Sequence, residues 1–490
     1  LKLPKWLRTS KHWILPRPAM GNATCSFGHA RHFFGRVALP RSAWSGHSAL
    51  LLTGLSLYPS LRVSAPSAAE LATSSSEGAT ASDAPDAPAC EACFRKSARV
   101  FCGGEHTLLR DPHTLEVYQL GACGLGFDHD YPASGPSAYC RKVPLSGPAQ
   151  SVFAGYYHNL FKLTGGRCFA YGCGRQAPND GQLMNGTDAE DTFPTATTTR
   201  FAEASVGGHH SVCRTMSGEV WNCGAGWQGQ MGDGGLQYKN TAPKRLSGVP
   251  RIEKVAGGYY HNAALGEDGE WYAWGCNEQG QLGPRLDGRE AQIKSPVRLG
   301  DAVPELKGVP ISAFDGGYGH SVILLGDGRI LTMGNHSEGQ RGLDPELDEA
   351  PSISEVSGLP GPAEAIAGGN HHTLIVVGGR VFAVGSDEFG QVGGRGEPPE
   401  EHDQRRWQPQ LVEGLPPDDP VVRVSAGICH SAAQTASGRV FLWGCGSNGQ
   451  LGDSSLPAGG ATREVVLNAI AQQCRAAIGA IADPTPVARI

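Results

Sequence analysis

The sequence predicts an all-β repeat protein, and three observations carry that prediction. Histidine recurs three residues after a glycine at His106, His158, His210, His261, His320, His372 and His430, at intervals of 52, 52, 51, 59, 52 and 58 residues. A Gly-Gln pair follows in six copies, at Gln182, Gln230, Gln281, Gln340, Gln391 and Gln450. Between the two tags stand two short apolar runs separated by a glycine turn. A period this regular marks a repeat architecture. Four-stranded sheets repeated around an axis bury both faces against their neighbours and leave no long exposed edge. The expectation is an all-β, seven-bladed β-propeller of 51–59-residue repeats, with a disordered amino-terminal head and a short carboxy-terminal helix.

Each element of a copy has a physical reading. After the histidine comes a run such as Ser321 to Leu325 or Thr373 to Val377, rich in β-branched residues and too short for a globular helix. A turn follows, as at Asp268-Gly269, Asp327-Gly328 or Ser437-Gly438. Such pairs accept the positive φ that two-residue hairpins require. In five copies the turn glycine lies eight residues after the histidine, which fixes hairpin length and register. The second run, Glu270 to Trp274 or Arg439 to Trp443, stops at a glycine. In the Gly-Gln tag the glycine allows a tight turn, and the amide can satisfy neighbouring backbone groups.

These tags resemble those of the regulator of chromosome condensation family, whose repeats form seven-bladed propellers. The resemblance covers about Ala98 to Asp453. Propellers of the Trp-Asp type fit less well, because the chain has no Trp-Asp dipeptide and its repeats exceed their roughly 40–45 residues. Kelch repeats lack this combination of tags. The resemblance implies a non-enzymatic adaptor or regulatory scaffold that binds a protein partner through its loop faces. The alternative it implies is a guanine-nucleotide exchange factor for a small Ran-like GTPase, although no exchange residue maps onto this sequence. None of the seven tags carries tryptophan after its glycine, which argues against the stacked-tryptophan photoreceptors of the same family.

No phosphate loop, nucleophile elbow or zinc-protease helix motif occurs, so the reading includes no catalytic residue, cofactor or metal. The seven histidines and six tag glutamines are read as structural, since the ligands of one metal must converge on one ion. Each imidazole is expected to bond backbone near its strand start. The cysteines at or beside the glycine that ends the second run (Cys123, Cys173, Cys223, Cys276, Cys445) are read as packing, and the isolated Cys90/Cys93 pair as structural or incidental.

Function is expected where the symmetry breaks. The residues just before the hub histidines vary, and Tyr156, Tyr157, Tyr259, Tyr260 and Tyr318 form a candidate aromatic patch for a protein partner. The two long intervals are read as inserted loops, Pro284 to Pro310 and Arg395 to Pro420. The second loop offers Arg405, Arg406 and Trp407 as candidate anchors.

Residues 1–69 hold nine Lys or Arg and no acid. This basic, serine-rich stretch reads as a segment for mitochondrial or plastid import, or as a disordered tail; its apolar run Ala49 to Leu57 is too short to span a bilayer. A start at Met20 would give an imperfect myristoylation site. Residues 70–89 read as a flexible linker, 90–467 as the propeller and 468–490 as a helical tail. From Cys90 on, acids exceed bases by about eleven. That balance argues against bulk binding of nucleic acid through the propeller. The expected state is a monomer with no transmembrane segment.

Overall fold

The computed structural model describes residues 99–121, 140–172, 179–189, 191–284, 291–394, 404–452, 460–466 and 469–470. They form seven antiparallel sheets, each of four strands in chain order. The blades span residues 100–142, 149–196, 203–245, 252–298, 311–355, 363–411 and 421–465. In each blade the second strand begins at or just after the hub histidine and pairs with the first and third. The glycine hairpins adopt the left-handed backbone read from sequence, as at Gly269 (φ 78°) and Gly438 (φ 89°).

The first strands line the axis, where Cys102, Ala154, Val206, Gly257, Gly316, Ala367 and Ala426 surround a cavity of about 200 Å³. The hydrophobic core is a set of layers between blades. Leu108 and Val117 of blade one pack with Phe161 and Tyr171 of blade two. Ala367 and Val381 of blade six pack with Ala433 and Trp443 of blade seven. Both sheet faces are thus covered, and the third strand of blade seven is buried throughout.

One way to close the ring is to pair the segment after the last tag with blade one. Gly460–Val465 is instead the fourth strand of blade seven, bonded to Val440–Gly444 of its own blade. The ring closes through packing and long-range hydrogen bonds. Leu109, Tyr118 and Leu120 join Ala432, Leu442 and Val465 in one apolar cluster. Arg99 N donates to Gln434 Oε1 at 2.9 Å, and Cys102 N to Ser425 Oγ at 2.9 Å.

The two intervals read as loops also contain regular structure. Gln292–Arg298 is the fourth strand of blade four, followed by a helical turn, Leu299–Ala302, and a 3-10 turn, Pro304–Leu306. Leu299, Ala302, Val303 and Leu306 are buried in the adjoining core. Arg405–Leu411 is the fourth strand of blade six. Outer strands face solvent on one edge and pack little, so their polar sequence carries a weak alternation. Of the expected carboxy-terminal helix, only residues 469 and 470 are described, and both are helical. The head, the linker, the Cys90/Cys93 pair and residues 471–490 lie outside the described residues. No helix among the described residues is long and apolar enough to cross a membrane.

Candidate functional site

The Gly-x-x-His tags build the hub of the ring. In all seven copies the tag glycine N–H donates to the carbonyl of its own histidine at 2.8–3.0 Å. This turn folds the imidazole back over the glycine. A Cβ placed on Gly103, Gly207, Gly258, Gly317, Gly369 or Gly427 would fall 2.0–2.4 Å from the Cε1 of the following hub histidine. Only glycine admits that approach, which is why the two residues are spaced as they are.

The imidazoles bond to the next blade through side chains, not to backbone as the sequence reading expected. His106 Nε2 meets Asn159 Oδ1 at 2.9 Å, His158 meets Ser211 Oγ at 2.7 Å, and His210 meets Asn262 Oδ1 at 2.7 Å. His261, His320 and His372 meet Ser321, Thr373 and Ser431 at 2.9, 3.0 and 2.9 Å. His430 meets Thr107 of blade one at 3.0 Å and completes the circle. Each partner stands immediately after the next hub histidine.

The tags fix the direction of these bonds. Ser211, Ser321, Thr373 and Ser431 donate their hydroxyl hydrogens to the carbonyls of Gln182, Gln281, Gln340 and Gln391 at 2.6–2.9 Å. Thr107 donates to the Gln450 carbonyl at 2.8 Å. A hydroxyl has one hydrogen, so its oxygen accepts from Nε2–H. All seven rings therefore carry hydrogen on Nε2, as assigned from the network. Each Nδ1 is buried with no partner among the described residues. A proton added there would be a buried charge without an acceptor. Burial accordingly lowers every one: His106 and His210 to about 4, His261, His372 and His430 to about 3, and His158 and His320 well below the ordinary value.

The tag glutamines each turn inward. Gln182, Gln230, Gln281, Gln340, Gln391 and Gln450 accept the backbone N–H two residues earlier on Oε1 at 2.6–3.0 Å. Their carbonyls serve the neighbouring blade, and those of Gln230 and Gln391 also accept from Trp274 Nε1 (3.0 Å) and Trp443 Nε1 (2.9 Å). In blade one the corresponding stretch, Gly124 to Phe127, lies outside the described residues. Asn159 Nδ2 has no partner among the described residues.

A third circle joins the hub loops through backbone. The N–H after each hub glycine donates to a hub carbonyl of the next blade at 3.0–3.3 Å, from Gly104 round to Ile428, which returns to Gly104. The side chains at these positions point over the axis. Tyr156 of blade two donates to Asn370 Oδ1 of blade six at 3.5 Å, across the mouth of the cavity. Beneath it Asp315 accepts from its neighbour Gly316 N (3.0 Å) and from Gly368 N of blade six (3.0 Å), and burial raises its carboxyl to about 6.

The five candidate tyrosines converge on one another. Tyr259 is 6% exposed and lies at the centre. Its ring is 4.4 Å from Tyr156, 4.3 Å from Tyr260 and 4.9 Å from Tyr318. Its hydroxyl reaches Tyr157 Oη and His209 Nε2, both at 3.3 Å. Burial drives the Tyr259 phenol far above its ordinary value. Around this centre sequence reasoning missed Trp227, Tyr238 and Asp180. Trp227 stacks obliquely on Tyr238 at 5.0 Å and approaches Tyr260 at 6.2 Å. Tyr238 is 67% exposed and Tyr318 43%. The available signal was an aromatic pair, Trp227 and Tyr238, inside a tag loop rich in glycine and polar residues.

Arg405, Arg406 and Trp407 are not part of this cluster. They open the outermost strand of blade six, where Arg405 Nη2 meets Glu346 Oε1 at 2.7 Å and Arg406 Nε meets Asp387 Oδ2 at 3.5 Å. The Trp407 backbone packs against Gly339 of the blade-five tag, where a Cβ would lie 3.1 Å from it. These residues join two blades. Among the described residues no group of three or more His, Cys, Asp or Glu side chains is placed to hold a metal ion.

Comparison with known proteins places the repeats. The model for the regulator of chromosome condensation (RCC1) repeat matches residues 217–265, 268–324 and 378–434. Ultraviolet-B receptor UVR8 of Arabidopsis thaliana is 32% identical over 52% of this chain and 55% of its own length. Probable E3 ubiquitin-protein ligase HERC6 of Homo sapiens is 30% identical over 52% of this chain and 24% of its own length. The chain thus spans little more than half of the first relative and a quarter of the second. Among solved structures, Prp20p of Saccharomyces cerevisiae superposes with a TM-score of 0.57 at 21% identity, covering 68% of this chain and 81% of that one. At that identity the likeness concerns the fold.

Proposed function

The chain carries regulator of chromosome condensation repeats closed into a seven-bladed propeller, and from that premise we propose that it is a non-enzymatic protein-interaction propeller, an adaptor or regulatory scaffold. Its docking surface is the face that bears the hub loops and the Gly-Gln tags. One observation carries this reading: the hub is symmetric in its histidines and asymmetric in what lies over them. Blades two to six supply tyrosine, histidine and tryptophan rings in mutual contact. Blades one and seven supply Gly104, Glu105, Ile428 and Cys429 at the same places. Ring closure does not require that difference, because the backbone circle is complete in all seven blades. Aromatic clusters with partly exposed rings are the usual anchors of protein interfaces.

The test compares partners recovered by the native chain and by a Tyr260→Ala/Tyr318→Ala variant whose fold is verified by thermal unfolding. Loss of a defined subset of partners supports the reading. An unchanged set removes it. The runner-up, an exchange factor for a small GTPase, rests on the repeat family alone. Accelerated release of labelled nucleotide from a panel of small GTPases would replace the adaptor reading.

A further inference from the structure

The two faces of the propeller differ in charge. Successive strands run antiparallel, so hub loops and the loops between third and fourth strands emerge on one face. The glycine hairpins emerge on the other. On the hairpin face four arginines pair with acids: Arg214 with Glu203, Arg245 with Glu219, Arg298 with Asp268, and Arg439 with Glu464. Cations are scarcer on the tag face. The described residues of its loops include two cations, Lys239 and Arg341. Lys239 is bound to Asp188 at 2.8 Å, and Arg341 is buried, donating to the carbonyls of Gly334, Thr332 and Pro351. Against them the blade-five loop alone brings Glu338, Asp344, Asp348 and Glu349, besides Glu346, which is paired with Arg405 at 2.7 Å. Glu278 and Glu388 are exposed on blades four and six.

The aromatic rings form a stripe through this negative field. It runs from Tyr318 to Tyr260 (6.1 Å), to Trp227 (6.2 Å) and out to Tyr238 (5.0 Å). Beside the stripe Asp180 is buried, with its Oδ2 3.5 Å from His209 Nδ1. Ring faces attract cations within about 6 Å, most strongly for tryptophan.

We propose that the tag face receives a lysine- or arginine-rich segment of a protein partner, with one cationic side chain seated on the Trp227, Tyr238 and Tyr260 rings. This rests on the protein-interaction reading above and specifies its partner's chemistry. Excess negative potential speeds and selects the encounter, while the rings hold the seated side chain.

The experiment measures fluorescence anisotropy of a labelled peptide of alternating Lys, Arg and Gly against the full-length chain, beside a peptide with Glu and Asp in place of the cations. The basic peptide binds and the acidic one does not, and raising salt from 50 to 500 mM weakens binding at least tenfold. Tyr238→Ala and the Trp227→Ala/Tyr238→Ala pair each weaken it, the pair at least tenfold. Asp348→Lys/Glu349→Lys slows association and flattens the salt dependence. The equivalent change on the hairpin face, Glu267→Lys/Asp268→Lys, alters neither. Equal binding of both peptides, or affinity untouched in both ring variants, overturns the proposal. If the ring variants lose cellular partners while binding the basic peptide as the native chain does, this inference falls and the interaction reading stands.

Discussion

Acid should dismantle this ring abruptly, and the hub histidines set the size of the effect. A histidine whose folded value lies below its unfolded value of about 6.5 leaves folding unaffected above that value. As pH falls below it, the unfolded chain binds protons that the folded ring refuses, so stability falls until the folded value is reached. For five hub histidines the folded value is about 3 to 4. Between pH 7 and 5 each should cost about 2 kcal/mol, and the five together about 10 kcal/mol. Asp315, raised to about 6, works in the opposite direction over the same window, returning about 1 kcal/mol as it protonates in the fold. The sum rivals the whole stability of an ordinary domain, about 5–15 kcal/mol. The assay is urea unfolding followed by tryptophan fluorescence at pH 7, 6 and 5, with proton uptake measured alongside. The expected result is a steep loss of stability centred between pH 6.5 and 5, with several protons bound per molecule unfolded. A change below about 2 kcal/mol over that range would refute the claim that the imidazoles are buried, neutral and without an acceptor on Nδ1.

Two further outcomes follow from packing. Trp443→Ala removes a fully buried ring between blades six and seven together with its bond to the Gln391 carbonyl. It should cost about 3–5 kcal/mol in the same urea assay, against about 1 kcal/mol for Trp443→Leu beyond its volume change. Gly317→Ala would place a methyl 2.1 Å from the Gly369 carbonyl oxygen and 2.2 Å from His320 Cε1. It should destabilise more than Gly269→Ala, where φ is +78° but nothing lies within 4 Å and the expected loss is about 1–2 kcal/mol.

The fold was legible because each repeat position has a local cause. The glycine three residues before six of the seven histidines is demanded by the imidazole lying over it, and the hairpin glycines by their positive φ. Both constraints act within a few residues and so surface as spacing. The partners of six imidazoles lie 52 to 60 residues away and that of His430 lies 323 away, and spacing within one copy does not show them. Their trace was nonetheless present: Thr107, Asn159, Ser211, Asn262, Ser321, Thr373 and Ser431, all hydrogen-bonding residues, follow the seven histidines. The tyrosines were found because they interrupt the hub pattern. Arg405 to Trp407 were misplaced because an outer strand, half open to solvent and interrupted by Pro409, reads like a loop. Asp180 escaped because its significance comes from His209, which only the closed ring brings above it.

The claim that function belongs to the tag face is tested most directly by hydrogen–deuterium exchange of the propeller with and without a bound protein partner. Protection is predicted in residues 155–157, 258–260, 317–319 and 227–239, with none added in the hairpins at 164–166, 217–218 and 268–269. Protection confined to those hairpins would contradict the account.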